Sequence, residues 1–82
     1  VETLYRTVAD RAEALEFRVS PDAPMLGIPL ERLSLKENLL VACINRNGEI
    51  ITPRGQDVLK AGDRVVVVTT HTGLQDLKDI LK

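Results

Sequence analysis

The dipeptide Asn47-Gly48 constrains the fold of this chain more than any other feature of the sequence. Both central positions of a two-residue type I′ turn need a positive φ, and Asn and Gly tolerate this conformation. The run LLVACI (residues 39–44) precedes the dipeptide and EIIT (residues 49–52) follows it. The pattern predicts an antiparallel hairpin with Arg46 opposite Glu49. Because the first run is apolar on both faces, we expect it to form a central, buried strand.

Two other segments have the character of strands. Leu15, Phe17 and Val19 alternate with charged residues, which is the spacing of a half-buried strand. The segment RVVVVTT (residues 64–70) is β-branched and apolar enough to be a second central strand. Between these segments, the composition of residues 21–35 favours loops, with one short helical turn beginning at Pro29. The sequence therefore predicts a sheet of four or five short strands.

Both ends of the chain have helical periodicity. Residues 1–8 carry apolar side chains at i, i+3, i+4 and i+7 without a preceding capping residue, so we expect the end of a helix that continues from a longer protein. Near the other end, Thr72 and Gln75 match a capping box, and the apolar stripe after them predicts a closing helix. The predicted fold is α+β: a small, mostly antiparallel β-sheet with a C-terminal helix packed on it, preceded by the end of a connecting helix.

Composition narrows the classes of function. The 82 residues are enough for one domain of marginal stability, which oligomerisation would support. A net charge of −1 gives no general attraction to nucleic acid or anionic lipid. The longest apolar run is far shorter than the ~20 residues that cross a bilayer. The single Cys43 is interpreted as a small buried hydrophobe in a reducing compartment.

Few residues offer catalytic or metal-binding chemistry. One His and one Cys have no evident partner, and His71 is predicted at the surface, where the last strand ends. The four Asp residues of the C-terminal half are interpreted as turn and helix residues, not metal ligands. No glycine-rich phosphate loop occurs. We therefore expect no enzyme activity, and no metal or cofactor in this domain. Among the basic residues, Arg46 and Arg54 remain candidates to contact a ligand.

Three segments together resemble the RCK C-terminal domain, also called the TrkA-C domain, of cytoplasmic regulators of potassium channels and transporters. They are LGIPLERL (residues 26–33), NLLVACINRNGEIITPRG (residues 38–55) and VLKAGDRVVVV (residues 58–68). The resemblance is strongest to the last domain of the peripheral subunit of the Trk potassium-uptake system. It divides the chain into residues 1–13, the end of a linker helix from an upstream nucleotide-binding domain, and residues 14–82, the TrkA-C domain.

The resemblance implies a regulatory, ligand-sensing and dimerising module. In such proteins an upstream Rossmann-type domain binds NAD(H) or an adenine nucleotide, and the C-terminal domains form a homodimer. The expected partners are a membrane potassium transporter subunit and a small-molecule effector, without nucleic acid. The expected location is cytoplasmic, peripheral to the inner face of the cell membrane. The residues expected to contact an effector are Lys36, Asn38, Arg46 and Arg54.

One ligand of a similar subset of domains, cyclic di-AMP, is bound between two such domains. Those domains have an Arg where this chain has Lys36, and a longer link into the next strand. These two departures count against cyclic di-AMP binding by this chain.

Three other interpretations remain. In the first two, the domain regulates another ion or anion transporter, or it regulates an enzyme, because fold does not fix function. Less favoured is a swapped-hairpin DNA-binding domain, whose strand, Pro and Gly-Asp pattern is similar. Those domains have about four more residues between the Pro and the Gly-Asp and need an excess of positive charge.

Overall fold

The sheet of this domain has five antiparallel strands in the order β1-β2-β5-β3-β4. The computed structural model describes residues 2–6, for which only the backbone is considered, and residues 12–82. The strands are β1 (Glu2–Arg6), β2 (Glu13–Arg18), β3 (Leu39–Arg46), β4 (Glu49–Ile51) and β5 (Arg64–Thr69). Two 3₁₀ helices, Leu30–Arg32 and Leu77–Ile80, lie in the connections.

The predicted hairpin is confirmed. Asn47 and Gly48 have φ values of 54° and 86°, and Arg46 is in register with Glu49. The Gly48 N–H donates to Asn45 Oδ1 at 3.0 Å, which fixes the turn from inside the hairpin. The predicted central position of β5 is confirmed, because β5 lies between β2 and β3. β3 lies between β5 and β4, but it is not buried on both faces as predicted, since Leu40 is 63% exposed.

One face of the sheet carries the hydrophobic core. Alternate residues of β2 and β5 are buried on this face, as the period of a strand requires. Met25 and Leu59 from the connecting segments complete the core, and both are at most 1% exposed. The opposite face is partly open to solvent, and Leu40 on β3 is 63% exposed there.

The helix predicted at the start of the chain is wrong for residues 2–6, which form strand β1. This strand pairs with β2, with Glu2 opposite Glu16 and Arg6 opposite Glu13. A helical stripe is a weak signal over so few residues, and the free edge of β2 offers backbone partners that local propensity does not reveal. Residues 1 and 7–11 of the predicted helix lie outside the described residues.

The α-helix predicted at the C-terminus is replaced by the 3₁₀ helix Leu77–Ile80. Gly73, in what would be the first turn of the predicted helix, has a φ of 80°, which belongs to the left-handed region. The capping residue is Asp76, not Thr72, and the Asp76 carboxylate accepts from the Leu77 N–H at 2.8 Å. The apolar part of the prediction holds, since Leu77 and Ile80 are at most 3% exposed.

The short helical turn predicted from Pro29 is confirmed as the 3₁₀ helix Leu30–Arg32, with Pro29 at its N-cap. The backbone at the start of this 3₁₀ helix forms hydrogen bonds with the segment after β4. The Leu30 N–H donates to the Asp57 carbonyl and the Glu31 N–H donates to the Gly55 carbonyl, both at 2.9 Å. These two bonds determine the shape of the surface described next.

Candidate functional site

A groove of about 240 Å³ lies between the edge of β3, the first 3₁₀ helix and the segment after β4. It exists because β4 ends at Ile51 and the chain then turns away from β3 toward the helix. Pro53 has no N–H to continue the ladder. The residues that line the groove are Leu30, Glu31, Leu35, Leu39, Leu40, Val41, Pro53, Arg54 and Gly55.

Gly55 permits the close contact between two walls of the groove. A Cβ atom built on Gly55 would lie 2.7 Å from Glu31 Oε2 and 3.1 Å from Glu31 Cβ. Any larger residue at position 55 must displace the Glu31 side chain, so the glycine is needed for close approach and not for an unusual φ.

Two charged side chains, Arg54 and Glu31, line an otherwise apolar groove. The Arg54 backbone N–H donates to Asp57 Oδ2 at 2.6 Å, which holds the main chain in a tight turn. Within the part of the chain that the structure describes, no hydrogen bond engages the exposed Arg54 guanidinium. A fixed backbone with a free guanidinium suits contact with a carboxylate or phosphate.

Lys36, the second candidate ligand contact, is used by the fold. Its ammonium donates to the Leu81 carbonyl at 2.9 Å and to the Asp79 carbonyl, while its backbone N–H donates to the Ile80 carbonyl at 2.8 Å. Lys36 thus satisfies carbonyls at the end of the second 3₁₀ helix. No sequence pattern indicated this contact, because the partners lie more than forty positions away along the chain.

Asn38 also has a structural role. It has a φ of 57° in the turn that leads into β3, and its carbonyl accepts from the Thr70 N–H at 3.2 Å. Asn tolerates the left-handed conformation better than most residues. Neither Asn38 nor Lys36 lines the groove, although Leu35 and Leu39 beside them do.

Arg46, the third candidate, forms a partly buried ion pair with Asp63. Arg46 Nε donates to Asp63 Oδ1 at 3.0 Å, Arg46 Nη2 donates to Asp63 Oδ2 at 2.8 Å, and Nη2 also donates to the Val58 carbonyl at 3.1 Å. Asp63 is 2% exposed and also accepts from the Lys60 N–H at 2.9 Å. The hydrogen bonds from Arg46 lower the pKa of Asp63 below its ordinary value. Of the four candidates, only Arg54 lines the groove.

A second, more polar depression of about 210 Å³ lies at the end of β2. Sequence reasoning did not identify it, because its lining residues come from β2, the following loop and the second 3₁₀ helix. Arg18, Lys78, Asp22 and Asp76 all line it, so charges of both signs are mixed and no single class of charged ligand is favoured.

Other potential reactive groups are dispersed or already bonded. His71 Nε2 lies 2.6 Å from the Glu37 carbonyl, as expected for a ring N–H donor that links two loops. In residues 12–82 and the described start of the chain, no three His, Cys, Asp or Glu side chains lie close enough together to hold a metal ion. The described residues include no helix that is both long and apolar enough to cross a membrane.

Comparison with known proteins finds relatives that are named for ion transport. A Trk system potassium uptake protein TrkA homolog from Archaeoglobus fulgidus is 39% identical over 70 residues, which are 85% of this chain and 16% of that protein. A K(+)/H(+) antiporter NhaP2 from Shewanella sp. (strain MR-4) is 29% identical over 68 residues, 83% of this chain and 12% of the antiporter. The chain thus spans less than a fifth of either relative.

A solved structure described as an RCK domain with cda has the same fold. It superposes with a TM-score of 0.62 at 27% identity and covers 84% of this chain and 97% of that one. The TrkA-C domain model matches residues 14–82. The match gives no support to a swapped-hairpin DNA-binding domain. The chain belongs to the TrkA-C domain family.

Proposed function

We propose that this chain is the regulatory, effector-sensing and dimerising domain of a peripheral subunit that controls potassium transport across the membrane. The observation that carries the proposal is the match of residues 14–82 to the TrkA-C family, together with relatives that are named as potassium uptake proteins. The domain acts without catalysis: it binds an effector and changes how two copies, and the transporter subunit they contact, are arranged. An effector does this only if it binds one arrangement more tightly than the other.

The groove beside β3 is the proposed effector site. Its apolar walls suit the ring or hydrocarbon part of a ligand, and Arg54 supplies a free cation for an anionic group. We therefore expect a small anionic effector with an apolar or planar portion, such as a nucleotide. The related solved structure is described as an RCK domain with cda, which supports ligand binding by this domain. The engagement of Lys36 with the carbonyls of Asp79 and Leu81 counts further against cyclic di-AMP as the effector.

Substitution of Arg54 tests this assignment. A thermal-shift screen with mono- and dinucleotides, including cyclic di-AMP, is expected to give a stabilising ligand. At about 100 times Kd such a ligand adds about 2.7 kcal/mol to the free energy of unfolding. Arg54→Gln should abolish the shift. Arg32→Gln is the matched control, because Arg32 is an exposed arginine of the adjacent 3₁₀ helix that does not line the groove. An equal shift in wild type and Arg54→Gln would exclude the groove as the site.

The remaining parts of the proposal concern the parent protein. An upstream Rossmann-type domain that binds NAD(H) or an adenine nucleotide precedes residues 1–13, which here include strand β1. The assembly lies in the cytoplasm against the inner face of the membrane. The small share of each relative that this chain covers supports a multidomain parent. The parent gene tests this: a strand, G-x-G-x-x-G and helix upstream would identify the nucleotide-binding domain.

A second candidate is a regulatory domain appended to an antiporter. The similarity to the Shewanella K(+)/H(+) antiporter favours this alternative. A parent gene with a series of apolar spans of ~20 residues before this domain would support the antiporter and contradict the peripheral subunit.

A further inference from the structure

The polar depression at the end of β2 has walls that are anchored in the core. One wall is the loop of residues 20–24, whose flanking residues Val19 and Met25 are at most 1% exposed. The Val19 N–H donates to the Asp63 carbonyl at 2.8 Å, which ties this loop to the turn before β5. The other wall is the start of the second 3₁₀ helix, where Leu77 is 3% exposed. The depression is therefore a formed part of the folded domain.

This depression is separate from the groove beside β3. Among the described residues, none lines both cavities. The volume of about 210 Å³ is below the ~300 Å³ at which pockets for drug-sized ligands begin. A ligand that fits here is consequently smaller than the nucleotide expected in the groove.

Arg18 brings an unpaired positive charge to the depression. It lies directly opposite Arg64 in the ladder of β2 and β5, and like charges at opposite positions destabilise a sheet. Arg64 is paired with Glu16 at 3.5 Å, whereas within residues 12–82 no hydrogen bond or ion pair engages the exposed Arg18 side chain. Lys78 is a second exposed cation at the same depression. An anionic group of a ligand would contact these two cations and offset the repulsion.

Two carboxylates in the same depression call for a positive group as well. Asp22 Oδ1 accepts from Ser20 Oγ at 2.7 Å, and this hydrogen bond lowers the pKa of Asp22, so its carboxylate is charged at neutral pH. Asp76 Oδ1 accepts from the Leu77 N–H at 2.8 Å, which fixes the second carboxylate. Two cations and two carboxylates balance each other, so the depression suits a ligand that itself carries one charge of each sign.

We propose that this depression binds a free α-amino acid in its zwitterionic form. The carboxylate of the amino acid contacts Arg18 and Lys78, and its ammonium contacts Asp22 and Asp76. A short side chain lies against Ala23. The bound amino acid joins the loop after β2 to the second 3₁₀ helix and stabilises the C-terminal segment. This inference goes beyond the proposed function, because it concerns a different cavity and a different class of ligand.

Titration followed by nuclear magnetic resonance tests the site. The probes are glycine, L-alanine and L-serine, and at least one of them should shift the amide signals of residues 18–24 and 76–78 in a saturable way. Because the charged groups are exposed, we expect a Kd on the order of 1 mM. N-acetylalanine lacks the ammonium and alaninamide lacks the carboxylate, so neither should produce these shifts. The absence of localised shifts with all three amino acids, or equal shifts with either analogue, would overturn the proposal.

Substitution of Arg18 gives the second measurement. Arg18→Gln should raise the Kd at least about tenfold, because it removes a charge-assisted contact with the carboxylate. Arg32→Gln is the matched control, since Arg32 is an exposed arginine that lines neither cavity. Circular dichroism confirms that both variants are folded. Arg54→Gln should also leave amino-acid binding unchanged, so this test is independent of the effector site. An unchanged Kd in Arg18→Gln would show that the amino acid binds elsewhere.

Discussion

At the level of single residues, the Arg46 and Asp63 pair joins the β3–β4 hairpin to the turn before β5. The carboxylate accepts from Arg46 Nε, Arg46 Nη2 and the Lys60 N–H, so each oxygen has at least one donor. Arg46 is 26% exposed and keeps some contact with water, whereas Asp63 is almost completely buried. A buried carboxylate is stable in its charged form only while such donors are present.

Asp63→Asn should reduce the free energy of unfolding by about 2 kcal/mol at neutral pH, because it replaces a charge-assisted bidentate contact with a neutral one. It should also make the free energy of unfolding less dependent on pH in the acidic range. The pKa of Asp63 is lowered in the folded state, so its contribution is complete above the unfolded pKa of about 3.9 and is lost as the pH falls through the folded pKa. Urea titrations between about pH 5 and pH 2 measure both effects.

Glu49→Gln is the control for Asp63→Asn. Glu49 is exposed and lies opposite Arg46 in the hairpin, so loss of its charge should change the free energy of unfolding little. Asp22 and Asp79 also have lowered pKa values, from hydrogen bonds of Ser20 and of the Gln75 backbone respectively, and both remain in each variant. Identical acid profiles for wild type and Asp63→Asn would contradict the role given to the pair.

At the level of secondary-structure elements, the second 3₁₀ helix is held in place by the link before β3. Leu35 and Leu81 form an isolated antiparallel bridge, and the Lys82 N–H donates to the Ser34 carbonyl at 2.8 Å. Lys36 adds its ammonium to the carbonyls at the helix end. The C-terminal segment therefore depends on distant partners for its position.

Lys36→Met should cost about 1–2 kcal/mol of stability, because it removes two charge-assisted hydrogen bonds but keeps the aliphatic stem. Hydrogen exchange should become faster at the amides of residues 80–82. Lys78→Met, an exposed lysine of the same helix, is the control and should change neither quantity. Effector binding should survive Lys36→Met, since Lys36 does not line the groove. Loss of binding with unchanged exchange would mean that Lys36 contacts the ligand instead.

At the level of the entire domain, 82 residues bury a limited core, so association of two copies would add to its stability. If two copies pair in the folded state only, the midpoint of thermal unfolding must rise with protein concentration. Circular dichroism over about a hundredfold range of concentration should show this rise. A midpoint that is independent of concentration in wild type would indicate unfolding of an isolated monomer.

Strands β2 to β5 were predictable because short-range signals encode them. Asn47 and Gly48 specify the hairpin turn, and the β-branched run of residues 64–70 needs no partner to indicate a strand. The two ends of the chain were not predictable in the same way. The helical stripe of residues 2–6 gave way to pairing with β2, and a glycine with positive φ prevents the helix expected after Thr72.

Local patterns along the chain were sufficient for the central strands, the hairpin register and the family, because turn chemistry and strand periodicity involve neighbouring residues. They also identified the basic residues from which an effector contact would come. Only the folded domain shows which of these basic side chains is free to contact a ligand. Lys36 and Arg46 are bonded to partners 45 and 17 positions away, while the Arg54 side chain lines a groove. The partner of a cation is set by contacts between segments distant in sequence, and no local pattern encodes such contacts.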